Sequence, residues 1–223
     1  TTLNAKGVVD EHHSLSLGAN LRFTDVREYA RTADVLLVVG SKLGEAELWV
    51  ERLEATGTVV RIDLDDKQIS KNLTAHIGLV GDAKATLRAL LDGLDIASPA
   101  GDFRADVASA LEAARVEGLE TSRESTLIAE DIAEALPGEA IVSTDSSQIC
   151  YLGLLNAIKS PRANSTPYMA TYATLGYGLP AALGARIGAP HRPTFAVVGD
   201  GALMFSLQEL ITVVEQGEDL TVI

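Results

Sequence analysis

The chain has a single cysteine, Cys150, among 223 residues, so no disulfide can close within it and a reducing compartment, the cytoplasm, is expected. Aromatic residues are scarce at 4%, which argues against the stacking surfaces that single-stranded nucleic acid requires. Positive charge is also short. The 18 Lys and Arg face 31 Asp and Glu, and a net charge of −13 repels phosphate backbones, which excludes DNA and RNA as partners. No apolar run reaches membrane-spanning length, and the residues after Thr1 do not read as a signal peptide, so no membrane partner is expected. What is plentiful is apolar content, at 47%, enough for a substantial core and too much for wholesale disorder.

The organising stretch begins with an apolar run over 194–198 that has the β-branched content of a buried strand. It breaks at Gly199-Asp200-Gly201 and resumes with helical spacing at Leu207, Leu210, Ile211 and Val214. A strand ending in glycines and a carboxylate, followed by a helix, suits a phosphate held through a divalent metal. Glycines let backbone N–H groups approach, a helix start favours negative charge, and Asp200 offers a hard oxygen ligand for Mg²⁺. The same turn also reads as an ordinary β–α connection in which Asp200 caps a helix, and by itself it does not separate the two.

In chain order, residues 1–20 read as a short strand remnant and a loop holding His12 and His13, which point apart and make a poor metal pair. A short helix is predicted over 24–32, with Val26, Tyr29 and Ala30 on one face. Residues 34–40 form a continuous apolar run, the pattern of a buried parallel strand. The glycine turn after it, Gly40 to Gly44, only loosely resembles a nucleotide-binding loop, and Trp49 beyond it reads as packing. Residues 59–65 form another strand. Asp63 could accept from a ribose hydroxyl, although Asp65 and Asp66 starting a helical turn is the preferred reading. His76 reads as a surface or capping residue. A short strand over 77–80 and a helix from Gly81-Asp82 through Leu91 complete a strand–helix rhythm that implies a parallel sheet covered on both faces.

Asp92 to Asp102 is the best linker candidate, with Gly93, Ser98, Pro99 and Gly101 close together. A charged helix over 102–117 follows. A second α/β unit opens near Ser125 with a helix carrying Leu127, Ile128, Ile132 and Leu136, stopped by Pro137-Gly138. Residues 140–143 give its first strand, and the hydroxyl-rich turn Ser146-Ser147-Gln148 follows where ligands enter open α/β sheets. Cys150, with no basic neighbour, reads as a small apolar filler. Residues 173–185 pack small side chains densely, with Pro180 suited to a first helical turn. His191 falls in a surface turn. The fold class is therefore α/β, with two parallel-sheet, helix-flanked, doubly wound units, both expected to be incomplete.

Together these features resemble the thiamine-diphosphate-dependent enzymes of the acetolactate synthase and 2-oxo-acid decarboxylase family. The residues that carry the likeness are Thr2-Leu3-Asn4-Ala5-Lys6-Gly7, His13-Ser14-Leu15-Ser16-Leu17-Gly18, Ile62-Asp63-Leu64-Asp65, Leu175-Gly176-Tyr177-Gly178-Leu179-Pro180-Ala181-Ala182 and Gly199-Asp200-Gly201. The last two at their mutual spacing are far more specific than either alone. The resemblance implies a middle domain over 1–94, a linker with a surface helix over 95–124, and a diphosphate-binding domain over 125–223.

By the same resemblance Asp200 binds Mg²⁺ bridging the cofactor's phosphates, which Gly199 and the backbone at Gly201 and Ala202 also contact. Ser146, Ser147 and Gln148 flank the diphosphate from the other side. Leu175 is the apolar wedge under the cofactor, and the Ala173 carbonyl holds the pyrimidine amino group, at a position where glycine is commoner. Met is frequent at the wedge in acetolactate synthases, whereas leucine is more like the decarboxylases. The implied reaction decarboxylates a 2-oxo acid and then releases an aldehyde or ligates to a second carbonyl, with the cofactor supplying the chemistry and the protein its placement.

The activating glutamate belongs to an N-terminal domain absent from this sequence, and a further metal-binding asparagine is expected beyond Ile223. The chain thus reads as an internal piece, inactive by itself, of a homodimer or homotetramer. FAD is not expected, because Ser41 to Leu48 has no arginine and adds Glu45 and Glu47 near where its diphosphate would lie. The rival readings are a dinucleotide-binding oxidoreductase, which lacks a full glycine fingerprint, and a non-catalytic interaction domain that kept the fold.

Overall fold

The computed structural model describes residues 1–95 and 101–223, so part of the expected linker, residues 96–100, lies outside the described residues. The chain forms two compact units, Leu21–Ala114 and Thr1–Asn20 with Arg115–Ile223. The first twenty residues therefore pack with the second half of the chain.

The unit Leu21–Ala114 is built on three parallel strands, β1 (Val35–Val39), β2 (Thr58–Asp63) and β3 (Ile77–Val80), in the order β1-β2-β3. Helix α1 (Thr24–Arg31) precedes β1 and turns Val26 inward. A short helix α2 (Glu45–Leu48) follows β1, and α3 (Ala83–Gly93) follows β3. Asp82 caps α3 by accepting from the Ala85 amide at 2.9 Å, the bond its sequence position predicts. The core joins Val38, Leu43, Leu48, Leu53, Val59 and Leu73. The continuous apolar run of β1 predicts burial on both faces, yet Val35 is 60% exposed and Leu37 40%. An apolar run reports what a strand can bury, and within its own unit β1 covers one face.

Arg61, on the central strand β2, is 1% exposed. Its guanidinium donates to the carbonyls of Ser41, Lys71 and Leu73, and so ties the loops on either side of the strand. Asp65 starts the 3₁₀ turn Asp66–Gln68 by accepting from the Lys67 amide, as preferred from the sequence. Trp49 packs under the Arg22 guanidinium, 4.7 Å from its ring centroid. His76 is exposed and its Nδ1 accepts from the Val59 amide at 2.9 Å.

Helix α4 (Arg104–Ala135) is one run broken at Ser122, where φ is −156° and ψ 89°. Arg115 Nε meets Glu130 Oε1 at 2.6 Å, a pair that a straight helix would hold about 22 Å apart, so the chain doubles back at the break. The sequence places two separate helices here, on either side of a gap at 118–124, and the break is the trace of that boundary.

The second unit carries β4 (Ile141–Thr144), β5 (Thr194–Val197) and β6 (Thr221–Val222), parallel and in that order. Residues 165–167 extend it beyond β4, with the Val142 amide donating to Ser165 and the Thr144 amide to Pro167. One cluster holds Ala129, Val142, Leu154 and Val197, with Leu154 supplied by the π-turn Cys150–Leu154 and Ala157 packed on it from the continuation α5 (Leu155–Ala157). A second cluster seats Leu179 and Leu183 of α6 (Gly178–Gly188) against Val213 of α8 (Glu209–Glu215). Between β5 and α8 lies the short helix α7 (Asp200–Leu203). Helical spacing predicts Leu207, Leu210, Ile211 and Val214 as the buried face. In the structure Val213 is buried instead, while Ile211 is 63% and Val214 78% exposed.

The N-terminal residues are anchored by a buried ion pair, Lys6 Nζ to Glu11 Oε2 at 2.8 Å. Lys6 also donates to the Ile158 carbonyl, and Glu11 accepts from the Ser160 amide, each at 2.8 Å. Burial pulls the Lys6 ammonium below its ordinary pKa, and Glu11 works in the other direction.

Candidate functional site

Strands β4 and β5 are parallel neighbours in the register Ile141↔Thr194 to Thr144↔Val197, so the turns that follow them leave the sheet side by side. This is the carboxyl edge, where open α/β sheets take their ligands. The two turns touch: a Cβ built on Gly199 would lie 2.7 Å from the Cβ of Ser147. The third segment singled out from the sequence reaches the same place. Gly178, at the start of α6, donates its amide to Asp145 Oδ2 at 2.7 Å. Gly176 has φ +82°, and a Cβ there would stand 2.8 Å from the Cβ of Phe205, just past α7. Three stretches far apart in sequence are thus brought to one edge.

Asp200 is the first residue of α7 and is exposed, and its side chain makes no hydrogen bond or ion pair among the described residues. It does not cap its own helix: Gly199 is the N-cap and supplies no side-chain bond. The amides of Asp200, Gly201 and Ala202 have no acceptor within the helix, as at any helix start. A Cβ at Gly201 would meet nothing within 4 Å, so the side-chain position of this residue is open. Ala202 is buried at 3% exposure and fixes the turn to the core.

On the facing turn Ser146 Oγ is buried and makes no close hydrogen bond among the described residues, with the Tyr168 phenol as its polar neighbour. Ser147 Oγ accepts from the Cys150 amide at a long 3.4 Å, and Gln148 is exposed. Leu175 is 42% exposed. Ala173 has φ +49°, the left-handed region that favours glycine, which gives a physical reason for the glycine commoner at this position.

Among the described residues no group of three His, Cys, Asp or Glu side chains is placed to hold a metal. A cation at Asp200 would therefore draw its other ligands from main chain, water or a bound anion. Helix-start amides, a buried serine hydroxyl and one free carboxylate around a glycine-flanked turn fit a diphosphate with its cation.

Asp145 was not among the residues singled out from the sequence. It is 1% exposed and both of its oxygens are engaged, Oδ1 by the Ser146 amide at 2.8 Å and Oδ2 by Gly178. The available signal was an acid placed directly after an apolar strand and before two serines. Behind the turn, Cys150 is buried and its thiol is pushed up to about 12, by burial first and with Asp145 adding to the shift. Burial also raises the phenol of Tyr168 above its ordinary value. A groove of about 750 Å³ runs along α6 from Tyr177 to Arg192 and is also lined by Tyr168. The other glycine turn, Gly40 to Gly44, leads into the four-residue α2, whose first turn holds Glu45 and Glu47, a poor seat for phosphate.

Comparison with known proteins identifies the family of the chain. The family model described as thiamine pyrophosphate enzyme, central domain, matches residues 1–90. The model described as thiamine pyrophosphate enzyme, C-terminal TPP binding domain, matches residues 150–223, which include Ala173, Leu175 and Gly199 to Ala202. The chain is 36% identical to a probable 2-ketoarginine decarboxylase, AruI, of Pseudomonas aeruginosa, across 97% of this chain and 39% of that protein. It is 30% identical to a probable acetolactate synthase large subunit of Methanocaldococcus jannaschii, across 96% of this chain and 38% of that protein. It is 28% identical to the pyruvate oxidase of Lactiplantibacillus plantarum, across 96% of this chain and 36% of that protein. The chain spans about two fifths of the length of the curated relatives it matches. With the two models together matching most of its residues, and with the paired turns lying in or beside the matched segment, the chain belongs to the thiamine pyrophosphate enzyme family.

Proposed function

We propose that this chain supplies the diphosphate side of an active site in an enzyme that decarboxylates a 2-oxo acid with thiamine diphosphate (thiamine pyrophosphate) and Mg²⁺. The observation that carries this reading is the meeting of the Asp145–Gln148 turn, the Ala173–Gly178 segment and the Gly199–Ala202 turn at one sheet edge. Asp200 would hold the cation, and the amides at Gly201 and Ala202 with the Ser146 hydroxyl would take the phosphate oxygens. Leu175 would support the ring portion from below, and the Ala173 carbonyl would accept from its amino group. When bound, the cofactor supplies the electron sink for loss of carbon dioxide; the residues here orient it and neutralise its charge.

The relatives named as a 2-ketoarginine decarboxylase and as acetolactate synthases support a 2-oxo acid as substrate, with either aldehyde release or ligation to a second carbonyl as the outcome. The reading includes a cytoplasmic homodimer or homotetramer, supported by the lone thiol at Cys150 and by the apolar face of α8 left open at Ile211 and Val214. No described helix is long and apolar enough to cross a membrane. The reading has no place for FAD, since Glu45 and Glu47 open α2 with like charge. A flavin absorption band in the purified intact protein would remove that part.

Calorimetric titration of the intact protein with thiamine diphosphate, with and without Mg²⁺, tests the central assignment. Binding is expected to depend on Mg²⁺ and to be lost in Asp200→Ala. Cofactor binding that ignores both the metal and Asp200 would overturn it. It would also favour the dinucleotide or interaction-domain readings, which need no cation at this turn.

A further inference from the structure

Asp145 is given no contact with the cofactor, yet it is the group that joins two of the three converging segments. Its carboxylate is 1% exposed, so it does not face a ligand. It receives the Ser146 amide at 2.8 Å on one oxygen and the Gly178 amide at 2.7 Å on the other. A carboxylate only accepts, so it suits two N–H donors arriving from different elements, and burying it requires such donors. The fit is close. A Cβ at Gly178 would come within 3.2 Å of both Asp145 Cβ and Oδ2, and within 2.6 Å of Val198 Cγ1. The start of α6 is therefore pressed against the ends of β4 and β5 together.

We propose that Asp145 is a positioning residue of the cofactor site, one that sets the spacing between the Ser146-Ser147 turn and the Ala173–Leu175 segment. The assignment rests on the diphosphate reading given above. Ser146 and Ser147 follow Asp145 directly, and Ala173 and Leu175 lie just before Gly178. A shift in the Asp145–Gly178 contact thus moves the groups around the diphosphate relative to the residue beneath the ring. The cofactor would stay bound at one end and lose its fit at the other. A group that only held the fold together would leave cofactor geometry intact once the protein had folded.

The test uses the intact protein with Asp145→Asn and Asp145→Ser, and Asp200→Ala as reference. Asn keeps the size of the side chain but presents an NH₂ donor where one of the two amides needs an acceptor. In a variant whose cofactor-free thermal midpoint stays within about 4 °C of wild type, the Kd for thiamine diphosphate in Mg²⁺ is expected to rise about tenfold, because the misplaced turn no longer fits the diphosphate. The kcat at saturating cofactor should fall and the near-UV circular dichroism of the bound cofactor should change, while KM for the 2-oxo acid stays near wild type.

Wild-type Kd, kcat and dichroism in the Asp145 variants would overturn the assignment. So would a loss of affinity that merely tracks lost thermal stability, or failure of both variants to fold, which would mark Asp145 as a structural anchor. The reference separates the two layers. If Asp200→Ala binds cofactor like wild type, the diphosphate reading fails. If it loses Mg²⁺-dependent binding while the Asp145 variants behave normally, only the positioning role fails.

Discussion

Gly199 and Ser147 approach so closely that a Cβ on the glycine would stand 2.7 Å from the serine Cβ, a separation real side chains do not reach. The absent side chain is what lets the turns after β4 and β5 adjoin. Gly199→Ala should therefore force the turns apart, at a cost of about 1–3 kcal/mol in urea unfolding of the chain. In the intact protein it should also weaken thiamine diphosphate binding. Unchanged stability and affinity would mean that the turns are not packed as described.

The ion pair of Lys6 and Glu11 is a second point of strain under mutation. Both side chains are almost wholly buried, and Glu11 also accepts from Thr1 and Ser160. Lys6→Met leaves a buried carboxylate with no cation and should destabilise the chain by about 3–5 kcal/mol. Lys6→Met combined with Glu11→Gln should recover part of that loss, because the orphaned charge is gone. Equal losses in the single and double variants would show that charge is not the issue.

Ala173 gives a prediction of the opposite sign. Its φ of +49° costs an alanine roughly 1 kcal/mol that a glycine does not incur. Ala173→Gly should leave the thermal midpoint unchanged or raise it, despite the greater freedom of glycine in the unfolded chain. Ala182→Gly, inside α6, should lower stability by about 1 kcal/mol and serves as the contrast.

Cys150 supplies a pH dependence. Burial raises its thiol from an ordinary 9.0 to about 12, so the folded chain keeps a proton that the unfolded chain releases. The stability it contributes is fully present below pH 9 and is lost as pH rises towards about 12. Wild type should therefore lose stability over that window more steeply than Cys150→Ala. At pH 8 a disulfide reagent should label Cys150 only as fast as the chain opens. Rapid labelling of folded protein would contradict the burial.

Much of the site was legible because its chemistry is local. The Gly-Asp-Gly break after an apolar run marks the turn at 199–201, and parallel pairing then brings the Ser146 turn beside it without further information. Helix starts were equally readable where a cap is encoded, as at Asp82. What could not be read is what depends on partners distant in sequence. Asp145 looks like an ordinary acid until Gly178 arrives with its amide, and Glu11 gives no hint of Ser160. Burial misled in both directions for the same reason: β1 and α8 carry apolar faces, but how much is covered depends on which elements stand opposite. The separation of two helices near Ser122 was visible as charge and composition, whereas the fold-back that brings Arg115 to Glu130 was not.

The three carbonyls gathered by Arg61 have a consequence for how the first unit comes apart. Loops at Ser41, Lys71 and Leu73 are fastened to one guanidinium on the central strand, so none of them can open fully while β2 holds. Amide exchange and proteolytic nicking along these loops should then report a single cooperative release rather than separate fraying, with the strand acting as the latch for all three.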